Sequence, residues 1–177
     1  SVRLNEGLET IGEMTFLGCV SLVSISVPST VRKIYHGAFA RCIRLSSIDL
    51  PPDLSFIGEG AFSACGFMHF RIPPAIQVIN VNTFLNCSRL ISVEIPPWLQ
   101  RIEERAFKNC KQLRNICLPV SVHVESTDAF LGCISLYEKF ADSESLVDAL
   151  RQRFVGLPIH ELCYYSAYHK EKETIRE

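Results

Sequence analysis

The thiols are the residues whose type and spacing first suggest chemistry. The chain carries 8 cysteines in 177 residues, a number that raises disulfide bridging or zinc binding. Six of them, Cys19, Cys42, Cys65, Cys87, Cys110 and Cys133, fall 23, 23, 22, 23 and 23 residues apart, and none belongs to a C-x-x-C pair. Zinc requires four ligands converging on one point, usually from two close pairs, whereas evenly spaced single thiols spread along an axis. No metal site is expected, and the thiols read as reduced, although neighbours at strand spacing lie within reach of disulfide distances. The histidines, His36, His69, His123, His160 and His169, show no H-E-x-x-H spacing, and no G-x-S-x-G elbow exists. No cofactor and no catalytic residue is therefore expected. Gly58-Glu59-Gly60 lacks the lysine and the length of a phosphate loop and reads as a bend. Asn86-Cys87-Ser88 satisfies the glycosylation triplet, but its middle residue belongs to the periodic cysteine series, so it reads as a chance match. Arg101, Arg105, Lys108, Lys111 and Arg114 alternate with Glu103 and Glu104 and, with no aromatic platform beside them, read as a solvated flank.

Composition narrows the partners. Hydrophobic residues make up 47% and charged ones 21%, the balance of a chain that buries a core. Lys plus Arg number 18 against 19 for Asp plus Glu, which leaves no field to attract nucleic acid or anionic lipid. No run approaches the roughly 18–20 apolar residues of a membrane span, so this segment is not expected to insert in a membrane. Unpaired thiols favour a reducing, intracellular setting.

Regular cysteines imply a regular scaffold. Three residues before each stands a phenylalanine, Phe16, Phe39, Phe62, Phe84, Phe107 and Phe130, and each is preceded by Ala or Thr. Three residues after the cysteine comes Leu22, Leu45, Leu90, Leu113 or Leu136; the third copy is one residue short and offers Phe67 or Met68 instead. An alternating apolar pair follows, such as Ile25 and Val27 or Val93 and Ile95, closed by Pro28, Pro51, Pro73, Pro96 or Pro119, each 11 residues before the next Phe. Two more apolar residues recur on the return, as in Val31 and Ile34. A unit this short cannot bury an apolar face alone, so successive units must stack. The segment before each proline alternates like a strand, and the proline ends the ladder by removing a donor. Each coil thus contributes one short parallel strand, a second extended piece and a tight helical turn in which Gly12, Gly37 and Gly58 serve bends. Equivalent side chains should pile into a Phe column and a Cys column at the spacing of about 4.8 Å between adjacent strands.

These units resemble the BspA-like leucine-rich repeats, which read roughly Ile-Pro, x-x-Val-x-x-Ile, x-x-x-Ala-Phe, x-x-Cys, x-x-Leu-x-x-Ile. The resemblance covers residues 2–136 with six Phe-Cys anchors in register. It implies a leucine-rich-repeat solenoid, right-handed and curved, with scaffold or surface roles and protein binding but no catalytic residue. Two departures stand out: the deletion near Cys65, and Glu125 where Ile belongs, with Val124 filling in. The chain also starts inside a repeat, with Val2 and Leu4 in strand positions, so further repeats or a cap are expected before Ser1.

After Leu136 the pattern stops, giving a division into a solenoid over 1–136 and a helical C-terminal cap over 137–177. Asp142-Ser143-Glu144-Ser145 offers N-caps for a helix whose stripe is Leu146, Leu150 and Phe154, and Gly156 with Pro158 suggests a second helix. Leu157-Pro158-Ile159-His160-Glu161-Leu162 resembles the opening of an ankyrin repeat and also the tails of leucine-rich-repeat proteins of diatoms. Alternation places Ser24, Ser26, Ser47, Asp49, His69, Arg71, Ser92, Glu94, Asn115 and Cys117 on the solvent side of the concave sheet, the face that solenoids use for recognition. The function read from the chain is a non-catalytic protein-interaction or scaffold module with a protein partner of unstated identity. The alternatives are a spacer or cell-surface stalk that binds nothing through this segment, and a recognition arm of a larger enzyme.

Overall fold

The structure is a computed structural model, and it describes residues 2–141, 143 and 145–152. It is a parallel β-solenoid, and each full coil carries two short strands. In chain order these are β1 (Val2–Arg3) and β2 (Thr10–Ile11), β3 (Ser24–Ser26) and β4 (Lys33–Ile34), β5 (Ser47–Asp49) and β6 (Phe56–Ile57). There follow β7 (His69–Arg71) and β8 (Val78–Ile79), β9 (Ser92–Glu94) and β10 (Arg101–Ile102), β11 (Asn115–Ile116) and β12 (His123–Val124). Odd-numbered strands form a first row and even-numbered strands a second. The one strand read from the alternation is the first-row strand, and the second extended piece is the other.

The third side of each coil is the turn that contains Phe and Cys. Here the backbone itself links coils: the N–H groups of Phe16, Phe39, Phe62, Phe84 and Phe107 donate to the carbonyls of Ala38, Ala61, Thr83, Ala106 and Ala129 at 2.7–3.0 Å. Those acceptor residues are at most 1% exposed, which explains the small residue before every Phe. The turn visits left-handed backbone twice per coil, at Phe−2 (Met14, Gly37, Gly60, Asn82, Arg105) and at Phe+2 (Gly18, Arg41, Ala64, Asn86, Asn109, Gly132). Gly37 is thus required by its φ of 58°, whereas Gly58 answers a different need: a Cβ there would stand 2.7 Å from the His36 nitrogen of the preceding coil.

Inside, the two columns form. Successive Phe rings from Phe16 to Phe130 stack with centroids 5.0, 5.6, 5.9, 5.3 and 5.4 Å apart and planes within 18° of parallel. The cysteines contribute more than apolar filling. Cys42, Cys65, Cys87, Cys110 and Cys133 each donate Sγ–H to the carbonyl of the Phe one coil earlier, at 3.1–3.2 Å. Cysteine is small enough for the column and still supplies a donor, a pairing that neither Ala nor Val offers. Burial pushes these thiols up, Cys42 to about 11 and Cys87 and Cys133 to about 12, with Cys65 and Cys110 also well above 9.0. They are therefore protonated and inert at neutral pH.

The ends differ. At the N-terminal coil Phe16 is only partly buried, and Val2, Leu8, Met14, Leu17, Val20 and Val23 are exposed. At the other end a 3-10 turn (Thr127–Phe130) and helices α1 (Ile134–Lys139) and α2 (Leu146–Gln152) close the last coil. Leu136 and Leu150 are fully buried, Lys139 Nζ donates to Arg114 O at 2.8 Å, and Arg151 Nη2 donates to Val122 O at 2.7 Å. Ser145 Oγ accepts from the Asp148 N–H at 3.4 Å, as an N-cap does. The expected second helix and the ankyrin-like string lie outside the described residues. Val124, not Glu125, pairs with Ile102, so the last coil is one residue short before the strand and recovers it in the 3-10 turn.

Candidate interaction face

Nine of the ten predicted residues lie in first-row strands, and Cys117 follows the end of β11. Backbone pairing places Ser24 beside Ser47, Ser26 beside Asp49, His69 beside Ser92, and Arg71 beside Glu94. Ser26, Ser47, Asp49, His69, Arg71, Glu94 and Asn115 are exposed, and Ser24, Ser92 and Cys117 are half-buried. His69 Nδ1 lies 2.7 Å from Ser92 Oγ, and Arg71 Nε donates to Glu94 Oε2 at 2.6 Å. At the C-terminal end Asn115 Oδ1 accepts from Lys139 Nζ at 3.1 Å, so the cap engages that side chain.

The row is not continuous. Strands β1-β3-β5 form one sheet and β7-β9-β11 another, and the second row divides at the same junction into β2-β4-β6 and β8-β10-β12. The split falls at the missing residue: β5 begins five positions after Cys42, and β7 only four after Cys65. The shortened corner draws Gly66 against the preceding coil so tightly that a Cβ would collide with Ile43 O. Phe67 takes the core place that Leu45 holds one coil earlier, 1% exposed, and Met68 turns outward. In the second row the side chain of Asn80 spans the junction, donating Nδ2–H to Ile57 O at 2.6 Å. Equivalent carbonyls, Ile11 O, Ile34 O, Ile79 O and Ile102 O, accept backbone N–H groups from Tyr35, Gly58, Glu103 and Glu125.

In the first row the split opens a cleft of about 460 Å³. Its floor is Ile48, Leu50, Phe67 and Phe70, and its rim carries Ser47, Asp49, His69, Arg71, Ser92 and Glu94. Ile48 and Leu50 are half-buried, while Ile25, Phe70, Val93 and Ile116 at comparable positions are 3–5% exposed. Ser24, Ser26 and Asp49 lie along a shallower trough toward the N-terminus, and Asn115 and Cys117 line neither. The apolar floor was invisible to strand alternation, which assigns those side chains to the core. The signal that marks it is the 22-residue interval between Cys65 and Cys87.

Among the described residues no group of three or more His, Cys, Asp or Glu converges as a metal site, and no helix is long and apolar enough to cross a membrane. Three of the five basic residues of the fifth repeat meet carboxylates, Arg101 against Glu103 and Glu125, Arg105 against Glu104, and Lys108 against Asp128.

Comparison with known proteins agrees with this architecture. The chain is similar to the crystal structure of the T. pallidum leucine rich repeat protein TpLRR, at 28% identity over 76% of each chain and a TM-score of 0.57. It is also similar to a leucine rich cell surface protein from Faecalibacterium prausnitzii, at 31% identity and a TM-score of 0.61. That match covers 64% of this chain and 30% of the bacterial one. No curated protein matches the sequence. The description BspA type Leucine rich repeat region fits residues 2–137 in six copies. Six copies in register on a parallel β-solenoid mean that the chain belongs to the BspA type leucine-rich-repeat family.

Proposed function

We propose that this chain is a non-catalytic protein-interaction module that binds a protein partner through its first-row face. The observation that supports this reading best is the cleft between β5 and β7, where polar and charged rim residues surround half-buried Ile48 and Leu50. A merely solvated sheet face gains nothing from leaving apolar core residues accessible, whereas a recognition face uses them as its desolvated centre. A photo-crosslinking residue placed at Ser26 or Ser92 should trap a discrete protein adduct in the source organism's extract, and one placed at Lys33 or Arg101 in the second row should not. Combined charge reversal at Asp49, Arg71 and Glu94 should abolish the adduct. Equal labelling from both rows, or adducts that survive the reversal, would overturn the proposal.

A second reading, a spacer within a longer surface array, is favoured by one observation. The F. prausnitzii relative is described as a cell surface protein, and this chain spans 30% of its length. Under that reading neither row yields a discrete adduct.

A further inference from the structure

We infer that the split between β5 and β7 is a receptor for an extended peptide segment that adds as a strand along β5, with apolar residues turned into the cleft and basic residues turned outward. The inference rests on the protein-binding reading and specifies the chemistry of the partner. Its first support is the backbone. The Ser47 N–H donates to Val23 O, and Asp49 O accepts from the Val27 N–H, so residues 47 and 49 spend their polar groups on β3. In a parallel ladder the residue between them, Ile48, turns its N–H and C=O to the opposite side. That side faces β7, and no ladder joins the two strands. Backbone groups so placed are strong obligatory donors and acceptors, and a half-open sheet edge is the template that strand addition uses.

The second support is the floor. Ile48, Leu50, Phe67 and Phe70 lie beneath the opening, and its volume of about 460 Å³ falls within the range of roughly 300–1,000 Å³ typical of ligand pockets. Successive side chains of an added strand point to opposite faces, so every second one would meet this floor. Charge is the third. On the rim Arg71 is matched to Glu94 at 2.6 Å, while Asp49 is exposed and forms no ion pair among the described residues. The uncompensated rim charge is negative, which favours lysine or arginine at the outward positions of the incoming strand.

The probe is a capped hexapeptide of alternating valine and lysine, titrated into 15N-labelled protein. Shift changes are expected at amides 46–50 and 68–72. Methylating all the peptide's main-chain nitrogens, which removes its main-chain donors, should weaken binding about tenfold, and Asp49→Asn should weaken it by about threefold. Inserting one serine between Gly66 and Phe67 restores a 23-residue interval and should let β5 pair with β7, abolishing binding. If that variant fails to fold, Ser47→Trp at the exposed mouth should block the site instead. Equal binding of the N-methylated peptide, or of one alternating valine and glutamate, overturns the inference, as does binding that survives both closures. Loss of peptide binding with the Ser92 photo-adduct retained sinks strand addition alone; loss of both sinks the wider reading as well.

Discussion

The junction between the coil of β5 and the coil of β7 has two sides that answer one missing residue in opposite ways. On the turn side nothing gives: Phe39 and Phe62 still bond to Ala61 and Thr83, and the rings still stack, spread only to 5.6 and 5.9 Å. On the strand side both rows part. The difference follows from what each side buries. The turn side holds fully buried aromatic rings and thiol-to-carbonyl bonds, each costly to disturb, while a two- or three-residue strand pairing at the surface exchanges its bonds with water at little net cost. A defect therefore settles where its free-energy penalty is smallest, and there it opens a site.

The strongest test of this contrast compares two phenylalanines. Phe107→Ala, in the middle of the column, should lower unfolding free energy by about 3–5 kcal/mol in urea titrations, and Phe67→Ala, beneath the cleft, should cost visibly less because the site can relax toward the opening. Equal losses would erase the distinction between the two sides. Of the two sides, alkali should act on the column. The buried thiols keep their protons above 9.0, where unfolded cysteines ionise, so the unfolded state holds fewer protons and stability falls as pH rises. Each thiol contributes a slope of up to about 1.4 kcal/mol per pH unit, beginning near 9.0 and fading through about 11 to 12. Denaturation midpoints of a reduced sample should be flat below pH 8 and fall steeply above 9, and replacing Cys87 and Cys110 by alanine should shallow the fall.

Smaller effects belong to the split itself. Gly66→Ala forces a methyl onto Ile43 O and should cost about 1–3 kcal/mol, read as a lower thermal midpoint with far-UV circular dichroism unchanged. Asn80→Ala removes the side-chain rung to Ile57 O, and a loss of about 1 kcal/mol is expected. Ser55→Ala, which removes a side-chain bond to Arg32 O away from the split, should be milder, and the thermal midpoints of the two variants separate them.

Much of this molecule was legible in advance. The recurrence of Phe and Cys marked the columns, because only stacked coils satisfy a period near 23, and alternation before each proline put nine of the ten polar residues in first-row strands. The thiol's role as a donor was not legible, since spacing shows that a small residue is buried and not what its hydrogen meets. Neither was helix α1, which begins immediately after Cys133: the approach to another strand and the start of a closing helix look alike until the helix finds Leu136 a buried place. The left-handed positions left a partial trace in Gly18, Gly37, Gly60, Asn82, Asn86 and Asn109, blurred by Met14, Arg41, Ala64 and Arg105 at equivalent places.

Periodicity alone determined the repeat, its register and the identity of its columns, because burial of one coil against the next admits no other use for identical residues at fixed intervals. It also recorded that the third interval is a residue short. Where that shortage would be absorbed depended on the relative cost of disturbing buried rings and surface strands, a comparison between parts of the chain that touch only after folding. Tertiary structure made that choice, and in making it left Ile48 and Leu50 half-buried and joined Asp49, Arg71 and Glu94 around one opening.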